Sequence, residues 1–288
     1  MLEVKDLQIR IGARVLLDGV SFRVDTGDKV GLVGRNGAGK TTLTKVIAGD
    51  FAATEGYAKV TGEVGYLPQD PRAANPHESA RTRILDARGL GHLIEGMSKA
   101  TTDMASGDET VSAAAMKKYG RLNDQFLAAG GYQAEAEAAT IASHLNLPHT
   151  TLDQELGTLS GGQRRRIELA RILFQNAPLM VLDEPTNHLD ADSVVWLRNF
   201  LQGYPGGVIV ISHDVGLVEE TVNRVFYLDA MRSTIDIYNM SWKHYLRQRE
   251  ADEERRRKER SITEKKATAL QLQAAKFGAK ASKAASAH

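Results

Sequence analysis

No cysteine occurs among the 288 residues. Disulfides, thiolate nucleophiles and cysteine-ligated metals are thereby excluded, and the composition suits a reducing compartment, so a cytoplasmic location is the expectation. Long apolar runs are missing too. Nowhere does the chain approach the ~20 consecutive apolar residues that a membrane-spanning helix needs, so no direct membrane insertion is expected and a membrane role would have to come through a partner. Metal-ligand spacing is absent from the histidines, His77, His92, His144, His149 and His188 among them, since no two stand four apart on one helix. Nor does one sign of charge dominate: 37 Lys/Arg against 36 Asp/Glu leave a net of +1. The distribution is uneven, however. Residues 243–288 carry 13 basic and 6 acidic side chains, a net of +7, which leaves −6 for the remainder. A mildly acidic body with a basic tail points toward an anionic partner.

What is present is long enough for one large α/β domain or two modest ones. The opening residues Met1-Leu-Glu-Val-Lys-Asp-Leu7 alternate apolar and polar, the pattern of a strand rather than of a basic stretch followed by an apolar run. Short β-like runs punctuated by Gly12 and Gly19 continue to about Val24. A buried strand over 29–33 leads through a glycine-rich loop into a helix over 41–48, and a further strand, 64–67, stops at Pro68. Between about 73 and 157 alanine-rich segments at helical spacing, 116–129 and 134–145, flank a break at Gly130-Gly131, with an exposed turn at 106–109. This region is expected to be an inserted helical subdomain. Helices at 163–174 and 193–201 then alternate with apolar strands at 179–182 and 208–211, which implies a parallel sheet covered on both faces. From Trp242 the chain becomes charge-dense, and acid-first pairs at i, i+4 (Glu253 with Arg257, Glu254 with Lys258) favour a helix running to about Leu270.

Gly34-Arg-Asn-Gly-Ala-Gly-Lys40-Thr41 has the spacing G-x-x-x-x-G-K-[ST] of a phosphate-binding loop. Glycines let the backbone curl until successive N–H groups face phosphate oxygens, and the following helix adds its positive end. The expected cradle comprises Gly34, Asn36, Gly37, Ala38, Gly39, Lys40, Thr41 and Thr42, with Lys40 on the β- and γ-phosphates and Thr41 on Mg²⁺. The strand 179–182 ends in paired carboxylates. Asp183 is placed to hold the Mg²⁺ shell, and Glu184 to polarise an attacking water.

With these motifs the chain resembles the ATP-binding cassette superfamily over nearly its whole body. Leu159-Ser160-Gly161-Gly162-Gln163 matches the family's signature sequence, which cradles the phosphates of the nucleotide held by an opposing cassette. Gln69 matches the glutamine that senses Mg²⁺ and the attacking water, Asp190 the D-loop aspartate, and His213 the switch histidine beside the γ-phosphate. The resemblance implies an α/β P-loop NTPase fold with a mainly parallel sheet, an antiparallel β subdomain and the inserted helical subdomain. It also implies ATP and Mg²⁺ as cofactors and hydrolysis to ADP and phosphate. In one respect the chain departs from the pattern: the family's adenine-stacking aromatic is replaced by Ile11, with Arg14 or Tyr57 as other candidates for the base.

Finer features resemble the soluble F-type members, which act on ribosomes. They are Glu184-Pro-Thr-Asn-His-Leu-Asp190 followed by Trp196-Leu197, Gly130-Gly-Tyr-Gln-Ala-Glu135, and Tyr238-Asn-Met-Ser-Trp-Lys-His-Tyr245 before the charged tail. This implies a cassette over 1–240 and a charged helical interdomain linker over 241–288 that reaches toward ribosomal and transfer RNA. It further implies pairing with a second cassette, in a longer chain of which this is the amino-terminal part or in another copy. A single cassette is expected to bind ATP and hydrolyse it poorly. The alternatives are the ATP-binding subunit of a membrane transporter and an ATP-gated binding module without hydrolysis.

Overall fold

The computed structural model describes residues 1–69, 75–252 and 254–255 of the chain. Two compact units are present, Met1–Ser241 and a second that begins at Trp242.

Two sheets form the frame of the first unit. Strands β1 (Leu2–Ile11), β2 (Arg14–Val24) and β4 (Glu55–Val60) make an antiparallel sheet in the order β2-β1-β4. The larger sheet runs β5-β6-β7-β3-β8-β9. Its members are β3 (Lys29–Gly34), β5 (Val64–Leu67), β6 (Leu179–Asp183), β7 (Gly207–Ile211), β8 (Arg224–Asp229) and β9 (Thr234–Tyr238). The first five in that order are parallel, and β9 pairs antiparallel to β8. β6 and β7 are buried at every residue, as strands covered on both faces should be.

The expectation of short runs before Val24 resolves into two long strands. Gly12 makes the turn between them at φ +57, but Gly19 lies inside β2 at φ +62. There the pairing steps from Leu7↔Val20 to Ile9↔Leu17. The left-handed backbone of Gly19 is thus absorbed as a bulge, which bends a strand without ending it.

Helix α1 (Lys40–Ile47) follows the glycine-rich loop after β3. The inserted region contains α2 (Ala80–Leu85), α3 (Gly91–Met104), α4 (Glu109–Ala128), α5 (Gly131–His144) and α6 (His149–Leu152). α4 starts well before the expected 116 because Asp108 caps it, its carboxylate accepting from the backbone N–H of Thr110 (2.9 Å) and Val111 (3.2 Å). Such a cap satisfies otherwise unpaired donors of the first turn. The remaining helices are α7 (Gly161–Gln175), α8 (Ala191–Gly203) and α9 (Val215–Thr221). Arg83 of α2 donates to Glu168 of α7 at 2.6 Å, which fixes the insertion to the sheet-covering layer.

The second unit opens with a helix over 242–252. In it the Trp242 and Tyr245 rings lie 5.2 Å apart, and Arg255 pairs with Asp252 at 3.1 Å. The pairs of Glu253 with Arg257 and Glu254 with Lys258, and the expected helix to Leu270, lie outside the described residues. Among the described residues no helix is long and apolar enough to cross a membrane.

The main core lies between the two sheets, where Val4, Leu17, Phe22, Val30, Leu32, Leu43, Val181, Ile209 and Phe226 are all buried. Phe22 and Phe226 meet edge to face at 5.1 Å, one ring from each sheet, a geometry that aromatic quadrupoles favour. Phe226→Ala should lower the unfolding free energy by about 3–5 kcal/mol, as full truncation of a buried aromatic does. Urea denaturation of the purified chain measures it, and a loss under about 1 kcal/mol would show that the sheets do not depend on this contact.

Candidate nucleotide site at the sheet's carboxyl edge

Because β3, β6 and β7 run parallel, their carboxyl ends open on the same edge, the usual binding edge of an α/β sheet. A cavity of about 620 Å³ lies there. The glycine-rich loop supplies Asn36, Gly37, Gly39, Lys40, Thr41 and Thr42 to its wall; Gln69 comes from the end of β5, Asp183 and Glu184 from the end of β6, and His213 from the segment after β7. Two glycines shape the loop. A Cβ on Gly34 would lie 2.8 Å from the Leu228 carbonyl oxygen, and Gly39 caps α1 at φ +106 with Leu16 packed 3.3 Å from where a Cβ would stand.

The charged groups are held by specific partners. The Lys40 ammonium donates to the Gly34 carbonyl at 2.9 Å and to that of Arg35 at 3.3 Å. Burial lowers its pKa, while the carboxylates of Asp183 and Glu184 act in the opposite sense. The Thr41 hydroxyl donates to Asp183 Oδ2 at 2.8 Å. Burial raises the Asp183 pKa, opposed by the Thr41 hydrogen bond and by the positive charges of Arg165, Lys40 and Lys45. Glu184 has φ +52, a left-handed conformation uncommon for a side chain of this kind. Its N–H donates to the Ile211 carbonyl at 2.8 Å. Its carboxylate accepts from the His213 backbone N–H at 3.3 Å and lies 3.4 Å from His213 Nε2.

Thr41, Asp183 and Gln69 offer a hydroxyl, a carboxylate and an amide within one cavity, an oxygen donor set that suits Mg²⁺. That ion is held by one or two carboxylates or hydroxyls, with waters and phosphate oxygens completing its octahedron. Among the described residues no group of three or more His, Cys, Asp or Glu side chains could hold a metal by itself.

Not every expected residue lies on this cavity. Gly34 and Ala38 stand behind it, Ala38 buried and Gly34 bound to Lys40 through its carbonyl. Ser160, Gly161, Gly162 and Gln163 are at the amino end of α7, away from the cavity lining. There Ser160 and Gln163 form a reciprocal capping box, with Gln163 N–H donating to Ser160 Oγ (3.2 Å) and Ser160 N–H to Gln163 Oε1 (2.9 Å). The cap uses Ser160 Oγ as an acceptor, which leaves its O–H as a donor. Asp190 is likewise not in the lining. It caps α8 through the Ser193 N–H (2.9 Å) and accepts from Asn146 Nδ2 at 2.6 Å. His144 of α5 stacks on Trp196 of α8, 4.8 Å between centroids.

At the base position, Ile11 and Arg14 line the cavity and Tyr57 does not. Tyr57 pairs with Lys5 along β4, some way down the sheet from Ile11. Arg14 also donates to the Gly37 carbonyl at 3.1 Å. Two contributors escaped the sequence reading. Asn187 lines the cavity, although it appeared there only as part of a motif. Arg165 is buried on α7 beneath the site and donates to four backbone carbonyls. Its signal was a cation at i of an otherwise apolar stripe that continues with Leu169 and Ile172.

This sheet order and cavity define a P-loop nucleoside-triphosphatase fold. The ABC transporter family profile matches residues 17–187, and the chain belongs to the ATP-binding cassette superfamily. It is 39% identical over 236 residues to the tylosin resistance ATP-binding protein TlrC of Streptomyces fradiae, an alignment that takes in 78% of this chain and 40% of that protein. It is 35% identical over 219 residues to the energy-dependent translational throttle protein EttA of Escherichia coli K12, covering 75% of this chain and 39% of EttA. The resemblance to F-type members rests on relatives such as these and covers roughly one cassette; the chain spans about 40% of their length. The ATP-binding subunit of an ABC transporter superposes with a TM-score of 0.61 at 21% identity, over 86% of this chain and 92% of that one. The MJ0796 cassette, in a post-hydrolysis dimer with ADP and Pi, superposes at 0.57 and 18% identity, over 83% and 98%.

Since the Asp183 pKa is raised in the folded state, its ionisation opposes folding. The cost is absent below the carboxyl's ordinary range and fully present once the pH exceeds its raised value. Asp183→Asn should therefore increase the denaturation midpoint of the nucleotide-free protein at pH 7, and the gain should shrink as the pH falls through that raised pKa. A midpoint that drops at pH 7 would contradict the assigned sign.

Proposed function

We propose that this chain binds Mg²⁺-ATP at the carboxyl edge of the larger sheet and hydrolyses it when a second cassette completes the site. The observation that carries this reading is the meeting of Lys40, Thr41, Gln69, Asp183, Glu184 and His213 on one cavity. In it Lys40 and the loop N–H groups from Gly34 to Thr42 receive the β- and γ-phosphates. Thr41, Asp183 and Gln69 would hold a magnesium ion, which would supply charge neutralisation at the phosphates. Glu184 polarises the attacking water, and His213, in contact with Glu184, faces the γ-phosphate. Ile11 and Arg14 receive the base. Ser160, Gly161, Gly162 and Gln163, with Asp190 nearby, serve the nucleotide of the opposing cassette, a role supported by their place at a helix end outside this chain's own cavity.

The proposal extends to an F-type role in the cytoplasm, in translation or ribosome protection. The names of EttA and TlrC support it, as does the +7 charge of residues 243–288. Contacts to RNA phosphates would make ribosome binding steeply salt-dependent, with a slope of about −0.7 to −0.9 per neutralised phosphate. The second reading, a transporter subunit, rests on solved structures whose identity to this chain is near 20%, and it gives the basic tail no use.

Lys40→Ala should abolish detectable ATP binding by calorimetry, and unchanged affinity would falsify the site. Glu184→Gln should retain binding while turnover, measured with ribosomes present, falls by at least about 100-fold; turnover equal to wild type would leave an ATP-gated module without Glu184 chemistry. Sedimentation separates the partners. Pelleting with ribosomes in low salt, lost as salt rises, is the expected result, whereas co-purification with an integral membrane protein instead would favour the transporter reading.

A further inference from the structure

Arg165 is 6% exposed and absent from the cavity lining, yet its guanidinium spans the backbone beneath the site. One terminal nitrogen, Nη1, donates to the carbonyls of Pro68 and Gln69, each at 2.5 Å. The other, Nη2, donates to the carbonyls of Asp183 (2.7 Å) and Glu184 (3.2 Å). The contacts fall where the sheet stops joining these two segments. β5 and β6 pair in parallel as far as Leu67↔Leu182, and Pro68, the residue that follows β5, has no N–H with which to extend a ladder. Past that pair one planar fork does the joining, with a donor geometry fixed by the guanidinium plane.

Three of the four carbonyls belong to Gln69, Asp183 and Glu184. Where a backbone carbonyl is held, the adjoining Cα–Cβ direction is held as well. The grip therefore sets the relative placement of an amide and two carboxylates whose side chains point into the cavity, while Arg165 itself touches none of the space a nucleotide would fill.

We propose that Arg165 is a positioning residue for the metal and water sites, holding Gln69 in register with Asp183 and Glu184. This rests on the Mg²⁺-ATP reading given above. Phosphate binding through Lys40 and the glycine-rich loop lies on β3 and α1 and does not pass through this grip. Metal-dependent and metal-free nucleotide binding should consequently respond differently to its loss.

The test uses the full chain and a fluorescent ATP analogue, titrated in EDTA and then with increasing Mg²⁺, alongside a thermal midpoint. For Arg165→Gln the affinity in EDTA should match wild type. The Mg²⁺ concentration for half-maximal enhancement should rise by about 10–100-fold, the usual effect of removing a group that orients metal ligands. Arg165→Lys keeps the charge but lacks the fork; its three donors cannot serve four carbonyls, so it should show a smaller rise in the same direction. If Arg165→Gln does not fold, the Lys variant decides the matter, and a folded Lys variant with the wild-type Mg²⁺ curve overturns the proposal. It is also overturned if either variant loses thermal stability and affinity in EDTA and Mg²⁺ alike, with the ratio of the two intact, because the cation is then only structural. Wild-type protein that binds no analogue in either condition would remove the parent reading instead, a result distinct from both.

Discussion

The hydrogen bond from Thr41 to Asp183 is the contact around which the candidate site is organised. It joins the first turn of α1 to the tip of β6, across the intervening β7 in the sheet order. Only a parallel arrangement of β3, β7 and β6 brings both groups to one edge, and the burial of β6 and β7 on both faces keeps that edge fixed. Burial also creates the electrostatic tension of the site. Lys40 and Asp183 are each pushed toward their neutral forms by desolvation, and each is drawn back toward charge by the other. A cation and a carboxylate kept close under these conditions suit a ligand that brings both phosphate and metal, because each partner then meets a charge it can compensate.

What could be read directly from the sequence was governed by local rules. The glycine-rich loop was legible because phosphate binding by backbone N–H groups fixes both the residue types and their spacing. The strand over 64–67 was legible to the residue, since Pro68 ends it. Gly19 misled because left-handed backbone can end a strand or bulge it, and the choice depends on register with β1, which no local pattern encodes. The early start of α4 was missed although Asp108 was in view; the weak apolar periodicity of its first turns hid a cap that hydrogen bonding made effective. Tyr57 lies off the cavity for a tertiary reason, the pairing of β4 on the far side of β1 from β2.

Arg165 shows a different limit. In the run Arg164-Arg165-Arg166 the three side chains are chemically identical, and their fates diverge by the turn of the helix. Arg164 reaches back to the Leu159 carbonyl at 2.7 Å, and Arg166 donates to the carbonyls of Leu145 (3.2 Å) and Asn146 (2.8 Å). Arg165 faces the sheet. At about 100° per residue these directions follow from helix geometry alone, but which direction meets the end of β6 depends on how α7 packs. A buried guanidinium is costly unless its donors are used. The four carbonyls use them, and they are the ones left beyond the last paired residues of β5 and β6.

The same helix joins the signature sequence to the buried arginine that no motif singled out. Ser160, Gly161, Gly162 and Gln163 stand at the open amino end of α7, and Arg165 lies one turn further in; at 1.5 Å per residue the two ends of this stretch are about 8 Å apart along the axis. The capping box makes the first turn of the helix stiff, because both reciprocal hydrogen bonds must break for it to unwind. The signature end and the grip of Arg165 on the carbonyls of Gln69, Asp183 and Glu184 are thus parts of one helix.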